Sequence, residues 1–378
     1  MNIGAVADRW LAWRDKRLAS PLFQRWAAGF PLTRWIARRE ARALFDLVAG
    51  FVYSQVLLAC VRLRLFDLLA AGPLDLRTLA HRFEMTPEAA QTLLAAAESL
   101  ELVQRRSDGR YGLGKRGAPL VGNTPITAMV EHHAALYQDL RDPVALLRGQ
   151  AGEGALASYW PYAGAQAPSS LGDDRVAAYS ALMSASQPLV ADEILDAYPM
   201  ARHRCVLDVG GGDGTFLTAA AARNAGLQLM LFDLPAVADR ARRRFAAHGF
   251  TDRATCAGGS FLTDALPRGA DLATLIRVVH DHDDARVLAI LRAVHAALPP
   301  GGSLRLAEPM AGTRGAEPMG DAYFGFYLLA MGRGRPRTAD ELRALLHAAG
   351  FTGMRLLPTR LPLQTRLMHA VAGVAPSA

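Results

Sequence analysis

The spacing of apolar positions along the chain changes near Arg204. Upstream, apolar residues recur at helical intervals. Thr86-Pro87-Glu88 predicts a helix start, with a capping Thr and Pro at the first helical position, and Leu93, Leu94, Ala97 and Leu100 follow. Leu102-Val103 and Tyr111-Gly112-Leu113 then flank Asp108-Gly109, which predicts two short strands around a turn. A helical, polar-studded connector is expected over 126–198, with its Gly/Ala/Pro/Ser stretch 149–172 as a loop or lid.

Downstream, strand and helix alternate. Strands are expected at 205–209, 227–232, 272–279 and 303–307, and helices at 215–224, 237–248 and 285–298. This predicts an α/β fold with a doubly wound parallel sheet and helices on both faces. A last helix opens at Thr338 with Glu341 in a capping box and ends at Gly350, followed by strands at 354–357 and 366–371. Four segments result: 1–42, 43–125, 126–200 and 201–378. Helices followed by a short wing make 43–125 similar to a winged-helix module.

The 378 residues are 51% apolar and 20% charged, which excludes a mainly disordered chain. The net charge of +7 is almost all arginine, since Lys16 and Lys115 are the only lysines. Residues 1–42 hold nine basic against three acidic residues, a surplus of six. They also hold four of the five tryptophans, Trp10, Trp13, Trp26 and Trp35, and Pro21 and Pro31 divide them into short helical pieces. These interruptions leave no apolar run like that of a secretory signal. The longest apolar stretch, 44–61, contains Asp46, Tyr53, Ser54 and Gln55, so it is expected as a buried core or dimer helix rather than a membrane span. Cys60, Cys205 and Cys256 are far apart, with no disulfide framework or zinc knuckle, and a reduced, cytoplasmic compartment fits.

Leu207-Asp208-Val209-Gly210-Gly211-Gly212-Asp213-Gly214 sits where the first of the alternating strands meets its helix. Parallel sheets bind ligands at such points, and glycines let a cofactor approach the backbone. Asp233 closes the second strand, placed to take both hydroxyls of a ribose. Two cofactors fit this frame. A dinucleotide brings a doubly negative pyrophosphate and wants G-x-G-x-x-G/A. Here Gly210 and Gly212 supply the first two positions, but Thr215 holds the third, and Asp208 and Asp213 put carboxylates around the loop. S-adenosyl-L-methionine has no phosphate and carries an ammonium and a sulfonium, so the charges favour it. Gly258-Gly259-Ser260-Phe261 follows a third predicted strand. Phe261 is expected against an adenine and Ser260 near its amino group, unless the glycine pair is only a turn.

His280 follows the fourth strand on the ligand side of the sheet, where it reads as a general base for a hydroxyl attacking a methyl group. His280, His282 and Asp284 also spell H-x-H-x-D, a metal-site spacing. Ala285 stands where a further histidine is wanted, and no later cluster completes a ligand set. A third reading leaves the histidines in solvent and gives Asp283 and Asp284 to helix capping.

These motifs, with Phe232-Asp233-Leu234-Pro235, Arg277-Val278-Val279-His280-Asp281 and Ala348-Ala349-Gly350-Phe351, resemble the plant-type S-adenosylmethionine-dependent O-methyltransferase superfamily from about Ala43 onward. The resemblance implies a homodimer with a helical, winged-helix-like dimerisation domain and a C-terminal Rossmann-like methyltransferase domain. It puts His280 on the catalytic base, Glu308 on the first carboxylate that steadies it, and Asp233 on the ribose-binding acid. Asp208, Gly210, Gly212, Ser260, Phe261 and Arg277 fall on cofactor-binding motifs, and the implied mechanism needs no metal. The chain departs from the family at four places. Ser260 replaces an acid, His282 a tryptophan, Ile276 a lysine with Arg277 beside it, and Pro336 the second carboxylate.

Ser20-Pro21-Leu22-Phe23-Gln24-Arg25-Trp26, Phe30-Pro31-Leu32-Thr33-Arg34 and Glu131-His132-His133 look similar to the carotenoid branch, the hydroxyneurosporene or demethylspheroidene O-methyltransferases of purple photosynthetic bacteria. That resemblance implies carotenoid biosynthesis for photosynthesis: methylation of a tertiary hydroxyl on a hydroxylated acyclic carotenoid. Phenolic, hydroxyindole or polyketide acceptors are the alternative. His132 and His133 either face that hydroxyl or lie on a solvated helix face. The charge and tryptophans of 1–42 suit peripheral contact with the cytoplasmic face of a membrane, or packing across a dimer partner. A nucleic-acid reader is disfavoured, because its reading helix, about 86–100, contains Glu88 and Glu98 and no Lys or Arg.

Overall fold

The computed structural model describes residues 3–152, 154–159, 184, 187–362 and 365–373. The chain divides into two compact units, 1–122 and 123–378.

The first unit opens with three helices, α1 (Ile3–Leu18), α2 (Pro21–Gly29) and α3 (Arg34–Arg62). Ser20 caps α2 and Pro21 begins it. α3 runs without interruption through residue 42. Leu58, Cys60 and Val61 at the end of α3 are buried, but Leu44, Phe45, Leu47, Val48 and Phe51 are exposed in the single chain, so of the two expected readings the dimer helix fits and the buried core helix does not. Three shorter helices follow, α4 (Leu65–Ala70), α5 (Leu76–Arg82) and α6 (Pro87–Ser99). The Thr86 hydroxyl accepts from Ala89 N at 3.2 Å to open α6. Strands β1 (Val103–Arg105) and β2 (Tyr111–Leu113) pair antiparallel as the wing.

The second unit begins with α7 (Thr124–Asp139) and short helices Pro143–Leu147 and Ala155–Tyr159. Most of the expected lid, from residue 160 to 172, lies outside the described residues. A helical stretch at 187–197 leads to the sheet.

Seven strands form that sheet: β3 (Cys205–Val209), β4 (Gln228–Asp233), β5 (Ala254–Gly258), β6 (Leu272–Ile276), β7 (Ser303–Glu308), β8 (Phe351–Leu357) and β9 (Arg366–Ala372). Their order is β5-β4-β3-β6-β7-β9-β8. The first five run parallel, and β9 pairs antiparallel with β7 and β8. β3 alternates its side chains, with Leu207 and Val209 in one buried layer and Val206 in the other, so both faces are covered. Strand order reverses between β3 and β6, the switch point at which such sheets bind ligands.

The fourth parallel strand ends at Ile276, not at 279. Arg277 takes a left-handed φ of 58°, and Val279–Asp281 form a single tight turn. Such a backbone costs about 1–3 kcal/mol for a residue with a Cβ, and it persists where neighbours enforce it. Here Arg277 N donates to Ala307 O at 2.8 Å.

Candidate active site

The turn after β6 is held by one carboxylate. Glu308, at the end of β7, is buried, and its Oε1 accepts from Val278 N at 2.9 Å and Val279 N at 2.8 Å. Its other oxygen, Oε2, meets His280 Nδ1 in a close ion pair. That contact fixes the ring and leaves Nε2 as the nitrogen that Glu308 does not hold. In this structure Nε2 lies 3.1 Å from Asp281 Oδ1. Burial disfavours the imidazolium, but the Asp281 and Glu308 carboxylates outweigh it and raise the His280 pKa to about 10.

Pro336 stands where the family resemblance places a second carboxylate, and the sequence alone does not show what replaces it. Arginines on either side of Pro336 hold the backbone of the turn instead. Arg335 N donates to His280 O at 2.9 Å. The buried Arg337 donates to Val279 O at 2.8 Å and His282 O at 2.6 Å. Both arginines pair with Asp284, and Arg335 also pairs with Glu341. Asp283 caps the helix Asp284–Ala297 as expected.

The H-x-H-x-D residues do not converge. His280 is committed to Glu308, Asp284 to the arginines, and His282 packs edge-on against Phe261 with centroids 5.5 Å apart. Among the described residues, no group of three or more His, Cys, Asp or Glu is placed to hold a metal ion.

The glycine loop lies against this turn. A Cβ on Gly210 would sit 2.7 Å from Val278 Cγ2, so only glycine lets the loop approach the segment that carries His280 this closely. Gly212, with φ 61°, has open space where a side chain would be. Asp233 Oδ2 accepts from Gly212 N at 2.8 Å, and Oδ1 from Leu234 N at 2.7 Å. Asp208 is buried in the middle of β3 and accepts from the Thr274 hydroxyl at 2.6 Å. Burial raises Asp208 to about 7 and Asp233 to about 6. No described cation pairs with either, so a ligand bringing positive charge and hydroxyl donors suits them. S-adenosyl-L-methionine has both. Asp213 keeps its charge but pairs it with Arg244. Burial would raise its pKa, but Ser184, Thr215 and an ion pair with Arg244 hold it below the usual range.

Ser260 and Phe261 follow β5 beside this cleft. Ser260 N donates to Asp264 Oδ2 at 2.8 Å, which brings an unforeseen acid next to the position where the family carries one. His132 and His133 on α7 are neither solvated nor capped. His132 Nε2 is 2.7 Å from the Tyr327 hydroxyl and His133 Nε2 is 2.7 Å from that of Tyr323. Burial lowers both, His132 to about 4, so both rings are neutral at neutral pH. The neighbouring Phe324 ring packs edge-on to His280 at 6.2 Å and to Tyr323 at 5.0 Å. The aromatic run Tyr323-Phe324-Gly325-Phe326-Tyr327 is the signal in the sequence for these contacts.

Residues 137–352 match the O-methyltransferase domain and residues 45–129 the O-methyltransferase dimerisation domain. The chain belongs to the O-methyltransferase family. The dimerisation match supports a homodimer. The chain is 43% identical over 366 residues to demethylspheroidene O-methyltransferase of Cereibacter sphaeroides, covering 96% of this chain and 94% of that one. It is also 43% identical over 346 residues to the Rhodobacter capsulatus protein of the same name, covering 91% of this chain and 85% of the other. Among solved structures, a methyltransferase of calicheamicin biosynthesis in its SAH-bound form superposes with a TM-score of 0.74 at 25% identity, over 88% of this chain and 98% of that one.

Proposed function

We propose that this O-methyltransferase methylates the tertiary hydroxyl of an acyclic hydroxycarotenoid of the demethylspheroidene type, giving a methoxy carotenoid and S-adenosylhomocysteine. One observation carries the substrate: 43% identity over nearly the whole chain to a demethylspheroidene O-methyltransferase.

When bound, S-adenosyl-L-methionine supplies an electrophilic methyl on a sulfonium. Asp233 binds the ribose, Asp208 adds negative charge beneath the loop, and Gly210 and Gly212 let the cofactor lie on the backbone. Ser260 and Phe261 border the adenine, and Arg277 shapes the end of β6. His280 Nε2 takes the substrate's proton while Glu308 keeps the ring oriented. A tertiary alcohol is a weak acid, so its proton leaves late, as the new C–O bond forms. Alignment of hydroxyl, methyl and base in one line is then the protein's main contribution. Residues 201–378 bind the cofactor, 126–200 form the connector and lid, and 43–125 join two copies. The enzyme works peripherally at the cytoplasmic face of the membrane that dissolves its polyene substrate.

The test is incubation with methyl-labelled S-adenosylmethionine and a panel of hydroxycarotenoids, hydroxyindoles and phenols. Label is expected in an acyclic hydroxycarotenoid. Label in the phenols or indoles alone would replace this substrate reading with the small aromatic one.

A further inference from the structure

We propose that the tryptophan-bearing helices ahead of the dimerisation module dock the protein on an anionic lipid surface. The proposal rests on the carotenoid reading for its purpose and on α1 to α3 for its geometry. Val6, Trp10 and Trp13 recur at intervals of four and three residues, so they share one face of α1. That face is open: Trp10 is 58% exposed and Trp13 57%. Guanidinium groups stand beside these indoles. Arg14 lies 5.7 Å from the Trp10 ring centre, Arg17 5.5 Å from Trp13, and Arg39 5.8 Å from Trp35 on α3. On α2, Leu22 and Trp26 are exposed, and Trp26 stacks on Phe30 at 5.1 Å.

Indole rings flanked by arginines match the two layers of a membrane interface, with the rings at the acyl boundary and the cations among the headgroups. The charge favours lipid over a second copy of the chain. Residues 43–378 hold 33 basic and 32 acidic residues, so the rest of the chain has no net negative charge to draw this segment in, whereas an anionic bilayer has. The dimerisation match begins at residue 45, after all four of these tryptophans. α3 is long and apolar enough to cross a bilayer by length and composition. Its end is buried in protein at Leu58, Cys60 and Val61, which makes lying on the surface the arrangement that fits.

The full-length protein is mixed with phosphatidylcholine vesicles, with and without phosphatidylglycerol, and floated at low and high salt. Two variants are compared, Trp10→Ala with Trp13→Ala, and Arg9→Gln with Arg14→Gln and Arg17→Gln. The wild type is expected to float with the anionic vesicles at low salt and to lose this at high salt. Each variant should lose at least about tenfold in vesicle affinity. Both should remain dimeric by light scattering and methylate a detergent-dispersed hydroxycarotenoid at the wild-type rate. Absence of wild-type flotation, or equal flotation of the variants, overturns the proposal. So does loss of the dimer in the tryptophan variant, because the face would then belong to a second copy. Flotation that depends on these residues, without methylation of any carotenoid, would keep the docking and unseat the substrate reading.

Discussion

His280 in the ligand-free protein holds its proton too tightly to act as a base at neutral pH, with its pKa raised to about 10 between Asp281 and Glu308. In the proposed reaction, two events release it. A cationic cofactor on the Gly210 loop disfavours the imidazolium, and a substrate hydroxyl at Nε2 must take the place of Asp281 Oδ1. Replacing His280 with Ala should lower turnover by about 10²–10⁴ while calorimetric affinity for S-adenosylmethionine stays near wild type. Asp281→Asn removes one of the charges that raise the pKa. Its pH–rate profile should therefore climb at lower pH than the wild type's; an unshifted profile would show that Asp281 does not set the base. The buried acids are also shifted upward, which for a carboxyl favours the neutral form. Asp208 and Asp233 lie above their ordinary 3.8, so through the window up to about 7 the folded apoprotein holds more protons than the unfolded chain. The contribution of these two groups to stability therefore falls as pH rises through that window. A cationic ligand prefers them ionised. Affinity for S-adenosylmethionine should rise between about pH 5 and about pH 8, and Asp208→Asn should flatten that rise in calorimetry.

The turn that carries His280 depends on a neighbouring loop as much as on its own strand. Gly334 has φ 79°, and a Cβ there would lie 2.1 Å from His280 O. Gly334→Ala should displace His280 and lower kcat with little change in cofactor affinity; unchanged kcat would show that the loop does not position it. Local rules made several elements legible in the sequence. Thr86-Pro87 and the Thr338–Glu341 capping box marked helix starts, and the glycine loop marked the switch point, because each is decided by residues a few positions apart. The end of β6 was hidden. Val278 and Val279 look like more strand, and the left-handed stop at Arg277 is imposed by Ala307 on the next strand. The backbone clasp by Arg335 and Arg337 was hidden for the same reason: its partners lie 51 to 58 residues away in the chain. The pairing of α7 histidines with Tyr323 and Tyr327 spans 190 and 195 residues, and no periodicity records a contact of that kind.

At the scale of the whole molecule, the single chain is incomplete at α3. Leu47 is 82% exposed, and Leu44, Phe45, Val48 and Phe51 lie open beside it. A contiguous apolar patch of this kind marks an interface in a water-soluble assembly. All but Leu44 fall within residues 45–129, the stretch that matches the dimerisation domain. A two-fold axis would set this patch against its own copy, so a charge placed there meets the same charge across the axis. Leu47 and Phe51 are four residues apart and share one face of α3. Leu47→Glu with Phe51→Glu should therefore convert a dimer into a monomer at micromolar concentration in light scattering. Both side chains are exposed in the single chain, so the change removes no buried packing within it. The cofactor loop and the His280–Glu308 pair all lie in the second unit, so the monomer should still bind S-adenosylmethionine with near wild-type affinity. A wild type that is already monomeric at micromolar concentration, or a double variant that stays dimeric, would remove α3 from the interface.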